Sequence, residues 1–176
     1  LSDSLGWEDV FYSSALANQM TLWDGIYAVP KAQKVLGIYY NKSIYQQFGF
    51  EVPATEEEFI DQCETLLAAG ITPIGNAGKY AACTNRWFDA YLDVNGGTEL
   101  HDQLLSGEAA INCDAVVQSF EDMAGMVKYF QNGYLAQEES ETTMALVSGD
   151  ICFTFDGSWV YYDIQNAGGN VEDYGF

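Results

Sequence analysis

The sequence predicts an α/β fold in which helices flank a largely parallel β-sheet. Short strand-like runs, bounded by Gly, Pro or Asn, alternate along the chain with longer segments whose apolar residues repeat at helical spacing. The chain has 176 residues, of which 48% are hydrophobic and 15% aromatic, so it is large enough to bury a core. We therefore expect residues 1–176 to form a single α/β lobe.

The clearest helical segment covers residues 56–69. Thr55 and Glu58 form the T-x-x-E pattern of a capping box, and Phe59 and Cys63 begin an apolar repeat at helical spacing. Similar patterns predict helices over residues 80–94, 114–131, 140–148 and 160–166, and glycines follow closely after the first three of these.

Strands are predicted over residues 26–29, 35–40, 71–74 and 151–155. The last two end alike, because each runs into a glycine-containing loop that is followed by a helix. In open α/β sheets, ligands bind beyond the carboxyl ends of the strands, where glycine lets the backbone approach closely. The two loops, residues 75–80 and 156–159, are therefore the predicted ligand site.

The charge balance excludes two classes of partner. The chain carries 26 acidic residues against 6 basic ones, a net charge of −20, so we expect no electrostatic binding to nucleic acid or to anionic lipid. No apolar stretch approaches the length of a membrane span. The first residue is Leu1 rather than Met, which leads us to expect that the chain belongs to a longer protein.

The sequence offers little support for an enzyme. The single histidine, His101, lies in a polar stretch, and the common nucleophile, zinc and phosphate-loop motifs are absent. We therefore expect no catalytic residue, metal or cofactor. Paired carboxylates are the one serious enzymatic option, since glycoside hydrolysis needs only two, and a glycoside hydrolase fragment stays open. The four cysteines are expected to be small buried hydrophobes, with one disulfide left open.

Aromatic residues are the more informative class. Trp and Tyr faces stack on the C–H faces of sugar rings, while amides and carboxylates bond the hydroxyls. Trp159 follows a strand end and Trp87 lies on the predicted helix after residue 80, so both are candidate platforms, whereas Trp7 and Trp23 are expected in the core.

Several of the few cations fall at predicted strand or loop ends, namely Lys31, Lys34, Lys79 and Arg86. In so acidic a chain they indicate a site for an anionic group. The other interpretation is that these cations are scattered over the solvent-exposed surface and form no site, and both interpretations stay open.

Four motifs occur in a telling order along the chain: "DGIYAVP", "LGIYYNKSIYQQFGFEVPATEEEFIDQCETL", "AGITPIGNAGKYAACTNRWFDAYLDVNGG" and "MALVSGDICFTFDGSWVYYDI". In this order and spacing they resemble the extracellular sugar-binding proteins of ABC importers, the maltose-binding-protein-like family 1 of solute-binding proteins. Two positions depart from the family pattern: "DG-IY" lacks the usual Lys, and Glu56 replaces a common Trp.

The resemblance implies a periplasmic-binding-protein-like lobe, with a mostly parallel sheet flanked by helices. Family members have two such lobes, so the chain corresponds to the carboxy-terminal lobe, and we expect the amino-terminal lobe and a carboxy-terminal tail to be missing from it. The implied function is capture of a mono- or oligosaccharide for import. The implied partners are the carbohydrate and the transmembrane subunits of the permease, and the implied state is a monomer outside the cytoplasm, periplasmic or anchored as a lipoprotein.

The same resemblance suggests residue roles. Trp159, after Gly157 of the G-x-W pattern, matches the sugar-stacking residue, and the loop of residues 76–80 matches a segment that contacts the ligand. Lys34 stands where maltose-binding protein has an acidic ligand residue, which favours a carboxylate or phosphate on the ligand and keeps a non-sugar anion binder as an alternative. The complete set of candidate ligand residues is Lys34, Asn76, Lys79, Tyr80, Arg86, Trp87, Asp156, Gly157 and Trp159.

Overall fold

The computed structural model describes residues 2–17, 26 and 28–176. The chain divides into two compact units, one formed by residues 1–34 and 92–118 and the other by residues 35–91 and 119–176. Every strand of the described residues lies in the second unit. The expectation that the chain forms one lobe stays a prediction.

The first unit begins with short helices. These are α1 (Ser2–Leu5), a 3-10 turn (Trp7–Asp9) and α2 (Ser13–Ala17). Trp7 is partly buried and meets Phe11 edge-on, with 6.0 Å between the ring centroids. The strand predicted over residues 26–29 is wrong for the three of its residues that the structure describes, because none belongs to a strand. Tyr27 and Trp23 lie outside the described residues.

The second unit is built on a four-stranded sheet. Its strands are β1 (Leu36–Asn41), β2 (Thr72–Gly75), β3 (Ile151–Gly157) and β4 (Tyr174–Gly175), in the spatial order β2-β3-β1-β4. β2 pairs with β3 in parallel, whereas β1 is antiparallel to both β3 and β4.

The α/β class is confirmed, but the expectation of a mostly parallel sheet is wrong. Two helices, α3 (Lys42–Phe48) and α4 (Glu56–Ala68), separate β1 from β2. β1 and β2 are not neighbours in the sheet, and they run in opposite directions because β1 is antiparallel to β3 and β2 is parallel to it. β3 then inserts between β1 and β2, so it is parallel to one and antiparallel to the other.

The remaining helices follow the sequence prediction closely. α7 (Glu139–Ser148) and α8 (Val160–Asn166) lie where helices were expected, and α6 (Asp114–Met126) continues as a 3-10 turn over Val127–Tyr129. α5 (Ala81–Ser106) is longer than predicted. It contains a break at Gly97, whose backbone has φ 73° and ψ 167°, at the glycines that were expected to end the helix. Further 3-10 turns cover Tyr134–Ala136 and Val171–Asp173.

The predicted cap of α4 is confirmed. Thr55 Oγ1 accepts a hydrogen bond from the Glu58 amide at 3.2 Å, and Glu58 in turn accepts one from the Ala54 amide at 2.6 Å. These bonds satisfy backbone N–H groups that the first helical turn leaves without partners. Phe59, Cys63 and Leu66 on the same helix are buried.

Two apolar clusters stabilise the second unit. The larger one joins α4, the sheet and the start of α5, and the smaller one packs α7 and α8 against β1 and β3. All four cysteines are described and free, and Cys63, Cys83 and Cys152 are buried, as expected for small hydrophobes. Among the described residues, no helix combines the length and apolar character that crossing a membrane requires.

Candidate functional site

The carboxyl end of β3 carries the predicted stacking residue. β3 extends through Gly157, two residues beyond the predicted end, and the Ser158 amide then donates to the Val35 carbonyl at 3.0 Å. α8 begins at Val160, so Trp159 occupies the junction between strand and helix. Its side chain is partly buried.

Gly157 makes this position of Trp159 sterically feasible. A Cβ atom on Gly157 would overlap the indole atoms Cζ3, Cη2 and Cε3 of Trp159. The ring therefore lies directly over the Gly157 backbone, which only glycine leaves bare. Gly157 is buried and Trp159 covers it, and the expectation that Gly157 itself contacts a ligand stays a prediction.

Arg86 holds three elements together beside this ring. Its Nη1 donates to Asp156 Oδ1 at 2.7 Å, and its Nη2 donates to Glu139 Oε1 at 3.0 Å. Its guanidinium carbon lies 5.1 Å from the centroid of the Trp159 ring, within cation–π distance. Only 14% of the Arg86 side chain is exposed. α5, β3 and α7 thus meet at one guanidinium.

The two carboxylates have further donors. Asp156 Oδ1 also accepts from the Gly157 amide at 2.7 Å, and Glu139 Oε1 accepts from the Cys83 thiol at 3.1 Å. Burial raises the pKa of Asp156 above its ordinary value, although the Gly157 amide and Arg86 act in the opposite direction. Burial and the Glu139 carboxylate raise the pKa of Cys83 to about 12, so this thiol stays protonated as a donor.

Glu139 was missed by the sequence interpretation. Acidic residues in the first turn of a helix, such as Glu138 and Glu139, ordinarily favour the helix dipole and face solvent. Glu138 has that role, since it caps α7, but Glu139 turns to Arg86 across 53 residues of sequence. The available signal was the position of Glu139 on the helix that leads directly into β3.

Hydrogen bonds to neighbouring segments hold the loop after β2 in place. The Asn76 backbone exchanges two hydrogen bonds of 2.8 Å with the Gln131 side chain, and Asn76 Nδ2 donates to Thr84 Oγ1 at 2.9 Å. The Gly78 amide donates to the Tyr134 carbonyl at 2.8 Å. Asn76 is 3% exposed and its side chain supports the loop, and its expected ligand contact stays a prediction.

Two residues of the same loop are exposed. Tyr80 is 53% exposed, as a surface platform requires. Lys79 forms an ion pair with Glu138, which neutralises its charge locally. The loop therefore presents an accessible aromatic ring beside a cation that already has a carboxylate partner.

Trp87 is a core residue, and its expected role as a stacking platform stays a prediction without support from this position. It is 5% exposed and packs against Phe155 and Phe130, with centroid distances of 5.0 and 5.7 Å. The helical period turns Trp87 toward the sheet. Its indole N–H has no hydrogen-bond partner among the described residues.

Lys34 belongs to the first unit, where it is exposed in a segment without helix or strand. Its expected contact with an anionic ligand stays a prediction. Within the described residues 2–17, 26 and 28–176, His, Cys, Asp and Glu side chains form no group of three or more that could hold a metal ion.

The site combines a partly exposed indole at a strand end with two carboxylates that share one guanidinium. A chitin oligosaccharide binding protein has a solved structure that is similar to this chain, with a TM-score of 0.83 and 27% identity. The match covers 99% of this chain and 44% of that one.

The family follows from the whole chain. The model of the bacterial extracellular solute-binding protein family matches residues 3–176, and the chain belongs to this family. The resemblance inferred from the four motifs is therefore confirmed.

Two curated relatives are similar over part of their length. A probable sugar-binding periplasmic protein of Mesorhizobium japonicum is 22% identical over 150 residues, which are 82% of this chain and 36% of the relative. A multiple sugar-binding protein of Streptococcus mutans serotype c is 39% identical over 90 residues, 51% of this chain and 21% of the relative. The chain thus spans less than half the length of the relatives it matches.

Proposed function

We propose that this chain is part of the substrate-binding component of an ABC importer and that it captures a carbohydrate outside the cytoplasm. The observation that carries the proposal is the position of Trp159 at the end of β3. Its indole lies against the Gly157 backbone, and the guanidinium carbon of Arg86 is 5.1 Å from the ring centroid. Family membership and the sugar-binding names of the similar proteins support it.

The chemistry of the site suits a sugar. An indole face stacks on the apolar C–H face of a pyranose, while Glu139 and Asp156 are acceptors for its hydroxyls. Exposed Tyr80 adds a second aromatic surface from the loop after β2. In the full-length protein, a second lobe closes over the ligand by hinge motion, and the closed monomer docks on the permease.

A hydrolytic role is less consistent with these contacts. Glycoside hydrolysis needs one carboxylic acid that is protonated and a second carboxylate placed across the scissile bond. Asp156 and Glu139 instead accept hydrogen bonds from the same guanidinium, so they lie side by side rather than on opposite sides of a scissile bond. Both groups then serve as hydrogen-bond acceptors.

The proposal is tested by calorimetric titration of the full-length protein with chito-, xylo- and malto-oligosaccharides, followed by chromatography of each mixture. We expect saturable binding of one oligosaccharide class at micromolar concentrations, and unchanged sugar after prolonged incubation. Absence of binding across the panel, or accumulation of shorter sugars, would contradict the proposed function.

A further inference from the structure

We infer that the Trp159 site selects an uncharged, hydroxyl-rich ligand, and that Arg86 is a positioning residue for two carboxylates rather than a receptor for an anion. The inference rests on the proposed function and narrows its substrate class. It concerns the cluster of Arg86, Asp156, Glu139 and Cys83, which we call the guanidinium cluster.

The first argument is charge. Arg86 is the one cation of the guanidinium cluster, and it already forms ion pairs with Asp156 and Glu139. Two carboxylates against one guanidinium leave a net negative charge where the ligand would lie. An incoming carboxylate or phosphate would have to displace one of them or remain unpaired, and either costs free energy in a partly desolvated site.

The nearby loop provides no substitute cation. Lys79 is paired with Glu138, and both side chains are about half exposed, at 51% and 43%. Two of the four cations that indicated an anion site from sequence, Lys79 and Arg86, thus have carboxylate partners within this unit. The positive charges of Lys79 and Arg86 are therefore already compensated by carboxylates of the same unit.

The second argument is the supply of hydrogen-bond acceptors. Each carboxylate accepts these hydrogen bonds through one oxygen: Asp156 Oδ1 accepts from Arg86 and Gly157, and Glu139 Oε1 accepts from Arg86 and Cys83. The second oxygens, Asp156 Oδ2 and Glu139 Oε2, take no part in these bonds. Carboxylate oxygens accept hydrogen bonds, which the hydroxyls of a neutral sugar donate and a carboxylate or phosphate group of a ligand does not.

The positions of the two oxygens are fixed before ligand binds. The Arg86 guanidinium is planar, so its two nitrogens set the spacing of the carboxylates, and the Cys83 thiol and the Gly157 amide each add a second restraint. The Glu139 side chain is 41% exposed, so a ligand can reach it. Acceptors held in place before binding favour a ligand whose hydroxyls match them.

The test uses the full-length protein and matched pairs of probes at physiological ionic strength. Maltotriose and chitotriose are each compared with the uronate made by oxidising their C6 hydroxymethyl groups. In any pair that binds, we expect the neutral member to bind at least tenfold more tightly. Tighter binding of a uronate would overturn the inference and leave the proposed function intact. If no member of any pair binds, and none of the chito-, xylo- and malto-oligosaccharides of the first titration binds either, the proposed function itself is contradicted.

A charge-removing variant tests the role of the cluster. Glu139→Gln keeps the shape of the side chain but leaves Arg86 less compensated, so we expect the preference for the neutral sugar to fall severalfold. Glu64→Gln is the matched control, because Glu64 also accepts from a cation, Lys128, on the surface of α4. An unchanged preference in Glu139→Gln, or an equal fall in Glu64→Gln, would overturn the assignment of Arg86 and Glu139.

Discussion

Trp159→Ala is expected to weaken carbohydrate binding by about thirtyfold or more. A Trp side chain that becomes buried when a ligand binds typically contributes about 2 kcal/mol or more to the binding free energy. The substitution removes the stacking face and also the ring that Arg86 covers at 5.1 Å. The effect on folding should be small, since Trp159 is only partly buried and belongs to neither apolar cluster. Calorimetric titration and thermal unfolding of the full-length variant measure the two effects separately.

Trp87→Phe is the matched control for this experiment. It also removes an indole, but from the core, and it keeps an aromatic ring against Phe155 and Phe130. The change eliminates a buried N–H that has no partner among the described residues, which limits its cost. We expect sugar affinity within about twofold of the wild type, a difference of about 0.4 kcal/mol. An equal loss of affinity in both variants would contradict the assignment of Trp159 to the site and Trp87 to the core.

Gly157→Ala is expected to reduce affinity by about tenfold, equivalent to about 1.4 kcal/mol, with no loss of any polar ligand contact. The added methyl group would occupy the space of the Trp159 ring, so the indole must leave its position over β3. Its contact with Arg86 would change at the same time. Near-ultraviolet circular dichroism reports the movement of the ring, and calorimetry reports the loss of affinity.

Gly125→Ala is the appropriate control. Gly125 lies in α6, and a Cβ atom there would meet no other group within 4 Å. Alanine in place of glycine in an exposed helix stabilises by about 0.5–1 kcal/mol. This variant should bind sugar as the wild type does. If Gly157→Ala also bound like the wild type, with an unchanged aromatic spectrum, Gly157 would not be what holds Trp159 in place.

Local signals in the sequence predicted much of the site. The cap at Thr55, the glycine after α7 and the short helix α8 all follow from interactions between residues close in sequence. The same is true of Trp159, because the strand, the glycine turn and the helix that place it are consecutive. Such features depend on backbone geometry and on hydrogen bonds within one or two turns.

Local signals in the sequence could not predict which residues far apart in the chain form ion pairs. Arg86 reaches Asp156 across 70 residues and Glu139 across 53, and patterns within one or two helical turns do not report contacts over such separations. The prediction of mostly parallel strands was wrong for the same reason, because the insertion of β3 between β1 and β2 depends on the path of the whole chain. The anion site that the cations suggested stays a prediction, and the ion pairs of Lys79 and Arg86 with carboxylates could not be read from the sequence.

Trp87 shows how the helical period alone leaves a choice. Arg86 and Trp87 are neighbours on α5, and they point to different surroundings, the ion pairs and the core. The sequence placed both near the strand ends but did not say which one faced the sheet. Packing decides this, because Trp87 fills the space between Phe155 and Phe130.

The most direct test of the central claim is a crystal structure of the full-length protein with the oligosaccharide that binds most tightly in the panel. The account predicts a pyranose ring stacked on the Trp159 indole, with its hydroxyls donating to Glu139 and Asp156. Ligand density elsewhere, with Trp159 and both carboxylates untouched, would contradict it.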